Sequence, residues 1–377
     1  MTKVEDNHDG NRRILILTNN SGGLYHFRAE LIQKLIDLGH EVYFALPEPE
    51  DDGYVKLIME CGAKHILTPI KRRSINFLEE IKLIKTYKSI IHNINPHLVL
   101  TYTIKPNIYG TYAAKKYRKP VIMNITGIGH SLYGGIIKNI TKKLYKYACG
   151  KADIVFFQNY SNSSFFISEG MVNQSKIKHI PGSGVNTGTF QPVKKNTDDS
   201  IVRFLYIGRI MKEKGIDEFL EAAKEITEVY DNVEFLLIGN FEEEQYKDIV
   251  MSIDNPKIQY FGYSRDIRNE IKDVDCIVNP SYHEGMSNVL LEGAAMGKPL
   301  IASNIPGCKE IIEEGKNGFL FNVRSADSLK EKIVHFLELT PEERIQMGQY
   351  SRKKTQLEFD RNIVIDEYIK AINTICS

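Results

Sequence analysis

Apolar runs of strand length alternate with segments of helical period along this chain, and the alternation stops once and then starts again. RRILILT (12–18) reads as a buried strand, and LYHFRAELIQKLIDLG (24–39) as a helix closed by Gly39. EVYFALP (41–47), KHILTPI (64–70), HLVLTY (97–102), PVIMNIT (120–126) and DIVFFQ (153–158) continue the strands. Between them lies helical spacing, as at Phe77, Leu78, Ile81, Ile84 and Ile91. Strand–helix alternation of this kind predicts a parallel sheet covered by helices on both faces.

The interruption is QPVKKNTDDS (191–200), a polar stretch of linker character. RFLYIG (203–208), a helix at 215–230, VEFLLIG (233–239), KIQYFGY (257–263), DCIVNPS (275–281) and KPLIAS (298–303) follow it. They predict a second doubly wound α/β unit. The expected division is a disordered tail at 1–11, a Rossmann-like domain at 12–190, a second at 191–357 and a closing helix at 358–377. At 377 residues, 42% of them hydrophobic, the chain is long enough to give each domain its own core. Two such units facing one another place a ligand crevice between the carboxyl ends of their sheets.

The net charge of +1 conceals an asymmetry. Residues 1–190 carry 25 Lys and Arg against 15 Asp and Glu, a net +10; residues 191–377 carry 24 against 33, a net −9. The first half therefore suits an anionic partner, whether a membrane face, a phosphorylated acceptor or nucleic acid, although uneven surface composition between two domains would show the same split. No recognised nucleic-acid-binding motif or aromatic-basic platform accompanies the charge, so no nucleic-acid partner is expected. No run approaches the 18 apolar residues of a membrane span. The opening MTKVEDNHDGNRR is neither a signal nor a transit peptide. Five scattered cysteines (Cys61, Cys149, Cys276, Cys308 and Cys376) suit free thiols in a reducing cytoplasm and lack the spacing of a zinc site.

NPSYHEGMSNVLLEGAAMGKPLIAS (279–303) carries the strongest chemical signal. A strand ends at Asn279–Ser281, and a helix capped by Ser287 follows the loop. Glu284 falls in the loop and Glu292 about a turn and a half into the helix, with Gly285 allowing close backbone approach. The free amides of Ser287, Asn288 and Val289 would favour a diphosphate. Glu292 could accept hydrogen bonds from a ribose diol, and Glu284 from sugar hydroxyls. A solvated glutamate pair around an ordinary strand–helix turn would show the same spacing. A second run, YIGRIMKEKGIDEFL (206–220), places Gly208 and Arg209 after the second unit's first strand, with Lys214 and Gly215 at the next helix start. Both cations can neutralise a diphosphate, the guanidinium through two hydrogen bonds. The turn TNNSGGLYHFR (18–28) puts Gly22 and Gly23 before a helix, where a phosphate or donor-sugar contact fits. It is not GxGxxG, which weighs against a nicotinamide enzyme.

EGMSNVLLE, GRIMKEKG and GSGVNTGTF (182–190) together resemble family 4 of the retaining glycosyltransferases, which have the GT-B fold. TYTIKPNIYG (101–110) and NITGIGHSLYGG (124–135) further resemble the branch that builds capsular and other bacterial surface polysaccharides. The resemblance implies a UDP-sugar donor, with Arg209 and Lys214 on the diphosphate, Glu292 on the ribose, Glu284 on the donor sugar and Met286 in the same segment. It implies front-side attack, in which the leaving phosphate helps to take the acceptor's proton, and the closing helix crossing back to the first domain. The chain offers no recognisable carboxylate pair in nucleophile and acid roles. Where family members often have Asp, this chain has Asn186.

No metal or other cofactor is expected: Asp273 and Asp275 resemble a metal-binding pair but fall where a helix runs into a strand, away from the crevice. His26, Arg28, Tyr102, Lys105, Asn107 and His130 follow strand ends of the first domain and are the acceptor candidates. Lys71, Arg72 and Arg73 add basic charge in a loop. On 134–150, Lys138, Lys142 and Lys146 share one face, with Ile137, Ile140, Leu144 and Tyr147 on the other, a pattern suited to an anionic bilayer. A solvated face on an ordinary packing helix explains it equally. The basic first domain and the resemblance to the surface-polysaccharide branch jointly suggest a polyprenyl-diphosphate-linked acceptor, and the charge suggests a peripheral place on the inner face of the cell membrane. A GT-B-fold UDP-amino-sugar epimerase is the alternative, though it would need acid and base residues that the sequence does not identify.

Overall fold

The computed structural model describes residues 11–71, 76–127, 135–193 and 200–376. The chain forms two compact units, Met1–Ser183 with Val364–Ser377, and Gly184–Ile363. Residues 1–10 of the expected tail and 194–199 of the expected linker lie outside the described residues.

The first unit is built on seven parallel strands: β1 (Arg13–Leu17), β2 (Glu41–Leu46), β3 (Lys64–Leu67), β4 (Leu98–Tyr102), β5 (Val121–Ile125), β6 (Ile154–Phe157) and β7 (Ile177–His179). Their order is β3-β2-β1-β4-β5-β6-β7. Alternate side chains enter opposite layers: Leu15 and Leu17 join one buried cluster, Ile14 and Ile16 the other. Burial on both faces is why these strands read as unbroken apolar runs. The second cluster includes Val364, Ile365, Tyr368, Ala371 and Ile372 of the last helix, Arg361–Cys376. At about 1.5–3 kcal/mol for each large apolar side chain removed from water, these residues hold that helix to the first sheet.

The second unit has six parallel strands: β8 (Val202–Ile207), β9 (Val233–Ile238), β10 (Ile258–Tyr260), β11 (Cys276–Asn279), β12 (Leu300–Ser303) and β13 (Gly318–Phe321). Their order is β10-β9-β8-β11-β12-β13. The order reverses between β1 and β4 in the first sheet and between β8 and β11 in the second. Parallel sheets open a crevice beyond the strand carboxyl ends at such points.

Some elements depart from the sequence reading. β7 and β13 were not anticipated, being only three and four residues long. The first helix starts at Ser21 rather than 24, because the Asn20 side chain caps it by accepting from the Gly23 N–H at 2.6 Å. Gly22 and Gly23 are therefore in its first turn, not in a loop before it. The unit boundary precedes Gly184, ahead of the polar stretch. Val185 is buried with the second unit's core, donates its N–H to the Phe359 carbonyl and accepts from the Arg361 N–H. The closing helix expected from 358 is Arg361–Cys376, set off from the preceding helix Pro341–Glu358 by the buried Phe359.

Candidate functional site

In the second unit the two strongest sequence segments meet at the sheet's reversal point. Arg209 follows β8, and the loop from Pro280 to Ser287 follows β11. They are joined through backbone: Tyr282 donates its N–H to the Glu213 carbonyl at 2.9 Å. Gly215, at φ +71°, sits where a Cβ would lie 2.1 Å from the Pro280 carbonyl oxygen. Only glycine combines that left-handed turn with that approach. The tight packing brings Lys214 to Glu284, Nζ to Oε1 at 2.6 Å, with side chains 23% and 16% exposed. A cation and an anion assigned separate ligand contacts are thus partners of each other.

Arg209 is the more open cation. Its side chain is 57% exposed, and its nearest ion-pair contact is a long 3.7 Å one to Glu242. The Tyr206 hydroxyl donates to the Arg209 carbonyl at 2.9 Å and fixes the backbone that presents it. The Gly208 N–H is taken by the Ile238 carbonyl.

Ser287 caps the helix Asn288–Ala295, its hydroxyl accepting from the Leu290 N–H. Its own N–H, expected to be free for a phosphate, donates instead to the Gly307 carbonyl at 2.9 Å. Asn288 and Val289 carry the remaining first-turn amides, which a helix leaves unpaired. Met286 is also displaced from the expected role: it is 5% exposed and packs into the core with Leu290 and Leu291. Tyr282 was not singled out by sequence. Its hydroxyl donates to the buried Glu218 at 2.7 Å and its ring lies under Arg324, 4.7 Å from the guanidinium carbon. This clamp steadies the loop that carries Glu284.

Glu292 lies on the helix behind Ser287. Burial pushes its carboxyl up to about 7, and the Arg361 guanidinium offsets part of that. A folded pKa above the ordinary value means that this group favours the folded state most below about pH 4.5, an advantage lost as pH rises through about 7. Binding of a ribose diol by Glu292, the role expected of it from sequence, would have the opposite sign, since only the ionised carboxylate accepts both hydrogen bonds. Affinity for UDP is expected to rise about tenfold between about pH 6 and pH 8 through this group. Calorimetric titration of wild type and Glu292→Gln, taken as a difference, cancels the nucleotide's own ionisation. Equal pH dependence in both proteins would contradict the assignment.

The first unit's acceptor candidates are mostly interior. Arg28 is 3% exposed and lies over the rings of Tyr102 and Tyr368, 5.0 and 5.6 Å from their centroids. Tyr102 is 5% and Asn107 1% exposed, and Asn107 donates its side-chain amide to the Asn124 carbonyl. Lys105 is held by Glu80 at 2.6 Å and donates to the Lys71 carbonyl. Of these candidates His26 is exposed, set against Tyr25 and Tyr54. His130, Arg72 and Arg73 lie outside the described residues. Thr103, which sequence reasoning passed over, has φ +69°, an unusual strain for a β-branched residue. Strain of this kind collects at functional loops, and nothing in the letters TYTIKPN betrays it.

Asp275 accepts from the Arg203 N–H at 2.8 Å, at the amino end of β11. Among the described residues no three His, Cys, Asp or Glu side chains gather as a metal site, and no helix is long and apolar enough to cross a membrane. All five cysteines are free thiols. Asn186 accepts from the N–H groups of Gly188 and Thr189, a role open to either amide or carboxylate oxygen.

Two family models cover most of the chain: "Glycosyl transferase 4-like" over residues 13–159 and "Glycosyl transferases group 1" over residues 189–354. The chain belongs to this glycosyltransferase family. It is 27% identical, over 96% of its length and 99% of the relative's, to the N,N'-diacetylbacillosaminyl-diphospho-undecaprenol alpha-1,3-N-acetylgalactosaminyltransferase of Campylobacter jejuni. It is 24% identical to the capsular polysaccharide biosynthesis glycosyltransferase CapM of Staphylococcus aureus, over 82% of this chain and 84% of that one. In fold it is similar to Anabaena HepE, solved in complex with UDP and glucose, with a TM-score of 0.80 at 16% identity over 97% and 100% of the two chains. The GT-B fold that the family resemblance implied is therefore the fold of this chain.

Proposed function

We propose that this protein transfers a sugar from a UDP-sugar, with retention of configuration and without a metal ion, to a saccharide carried on a polyprenyl diphosphate. The product would serve bacterial surface polysaccharide synthesis at the inner face of the cell membrane. The observation that carries the reading is the placement of Arg209 and Lys214 after β8 and of the helix start at Asn288 after β11, the two segments joined by the Lys214–Glu284 pair at the sheet's reversal point. That is where a leaving diphosphate needs positive charge. The named Campylobacter and Staphylococcus relatives support the acceptor and the pathway class, and HepE supports UDP as the nucleotide. Those relatives are transferases, so the epimerase alternative gains nothing from them.

In the proposed step the acceptor hydroxyl attacks the anomeric carbon from the face that the diphosphate leaves. The new C–O bond forms as the bond to the β-phosphate oxygen breaks, and the proton passes to a phosphate oxygen. Arg209 and Lys214 hold the departing charge, Glu284 takes sugar hydroxyls while anchored by Lys214, and Glu292 takes the ribose diol. Incubating the protein with a panel of UDP-sugars and membrane lipid extract, in excess chelator, tests the reading through UDP release. One sugar is expected to be turned over with chelator present. Loss of turnover that magnesium or manganese restores would contradict metal independence.

A further inference from the structure

We infer that the face formed by the helices Thr111–Lys116 and Gly135–Lys151 is the surface by which this protein lies on an anionic phospholipid bilayer. It rests on the proposed lipid-linked acceptor but concerns a different part of the molecule from the diphosphate site. The face of Lys138, Lys142 and Lys146, whose spacing suggested a lipid-facing side of the second helix, turns toward Glu169 and Gly170, where a Cβ on Gly170 would lie 3.8 Å from the Lys146 ammonium. Lys142 is paired with Glu169 and lies 5.9 Å from the centre of the Phe165 ring. The face expected to be apolar is split: Leu144 packs against the core beside Tyr145, Ala148 and Cys149, while Ile140 and Tyr147 are 55% and 43% exposed. Ile140, Lys143, Tyr147 and Lys151 recur at spacings of three and four residues, so they form one stripe.

That stripe continues onto the neighbouring helix. Tyr112, Lys115, Lys116, Arg118, Tyr147 and Lys151 line a shallow groove of ≈ 460 Å³. The rings of Tyr112 and Tyr147 are 6.0 Å apart, and the Lys88 ammonium lies 5.0 Å from the centre of Tyr112. The carboxylate that meets this cluster is Asp153, paired with Lys115 and also accepting from the Val121 N–H. Among the described residues, Lys116, Arg118, Lys143 and Lys151 show no ion pair. The surface thus combines uncompensated positive charge with exposed tyrosine rings and an isoleucine.

Charge complementarity selects anionic headgroups, each basic residue near such a surface contributing about fivefold in affinity. Tyrosine favours the boundary between headgroup and acyl chain, with its ring in the apolar layer and its hydroxyl in the wet one. A nucleic acid would use the charge but would leave Ile140 without a role. The orientation is also serviceable. The helix Gly135–Lys151 starts beyond the carboxyl end of β5 and ends before β6, so its stripe runs from the ligand edge of the sheet toward the opposite edge. A bilayer against the stripe lies beside the edge where a parallel sheet binds ligands.

The chain contains no tryptophan, so a single introduced indole reports on one place. Tyr147→Trp, and as a control Tyr263→Trp in the second unit, are prepared in the full chain and mixed with phosphatidylglycerol or phosphatidylcholine vesicles containing brominated lipid. At low salt, the fluorescence of Tyr147→Trp is expected to shift to the blue and to be quenched by the brominated anionic vesicles, with that of Tyr263→Trp unaffected. Lys116→Glu/Arg118→Glu/Lys151→Glu is expected to lower the fraction floating with anionic vesicles about tenfold or more, while Lys138→Glu/Lys146→Glu changes it less than about twofold. High salt should weaken the capture, whose range is roughly 8 Å at physiological ionic strength. Flotation with unshifted emission from Tyr147→Trp, flotation lost only in the Lys138/Lys146 variant, or no flotation at all would overturn the inference. Transfer to a water-soluble, short-chain diphosphate acceptor is measured in parallel. It survives the triple variant if only the docking face is wrong, and its absence in wild type would instead undo the proposed acceptor.

Discussion

Replacing Arg209 with alanine is expected to cost about 2–4 kcal/mol of transition-state stabilisation, read as the fall in kcat/KM for the nucleotide sugar. The guanidinium stands at the carboxyl end of β8, largely exposed and with only a 3.7 Å contact to Glu242. Its removal therefore leaves no buried charge behind and should barely change thermal stability. The loss should fall on kcat more than on UDP binding, because negative charge on the diphosphate grows as the glycosidic bond breaks. Arg209→Lys should recover only part of the rate, since an ammonium lacks the two parallel donors of a guanidinium. Steady-state kinetics of the three proteins decide the matter, and wild-type kcat/KM in Arg209→Ala would remove this residue from the site.

The second large effect concerns Lys214 and Glu284. Lys214→Ala is expected to lower kcat/KM by about a hundredfold, because it deletes a cation and also leaves the Glu284 carboxylate unpaired beside the diphosphate. Lys214→Ala/Glu284→Ala removes that carboxylate as well. UDP should bind the double variant about tenfold more tightly than the single lysine variant, a coupling of about 1.4 kcal/mol. The interaction is 2.6 Å long between side chains less than a quarter exposed, so it is screened less than a surface pair. Strict additivity of the two single losses in calorimetry would show that the residues act apart, against the geometry of the turn at Gly215.

What could be read from the letters was what depends on local pattern. The strands β1, β8 and β11 announce themselves as apolar runs, and Ser287 reads as a cap from its place before VLLE. What could not be read depends on approach between segments distant in sequence. The Ser287 N–H looked free until Gly307, 20 residues on, supplied its carbonyl. Lys214 and Glu284, 70 residues apart, meet because Gly215 lets one backbone touch another. Arg28 looked like a ligand cation because it follows a strand end, yet its side chain lies against Tyr368, 340 residues later in the chain. Asn20 took the Gly23 amide by capping a helix three residues earlier than its apolar spacing indicated. On Gly135–Lys151, lysine spacing pointed to one basic face, and only the partners Glu169 and Asp153 reveal which cations remain uncompensated.

The most direct measurement is intact-mass analysis of a polyprenyl-diphosphate-linked saccharide after incubation with wild-type protein and each UDP-sugar in excess chelator. The predicted result is a gain of one sugar on the acceptor for one donor, in equal amount to the UDP released, and its loss in parallel with UDP release in Arg209→Ala. UDP-sugar consumed without any gain in acceptor mass, or consumed equally by Arg209→Ala, would contradict glycosyl transfer at this site.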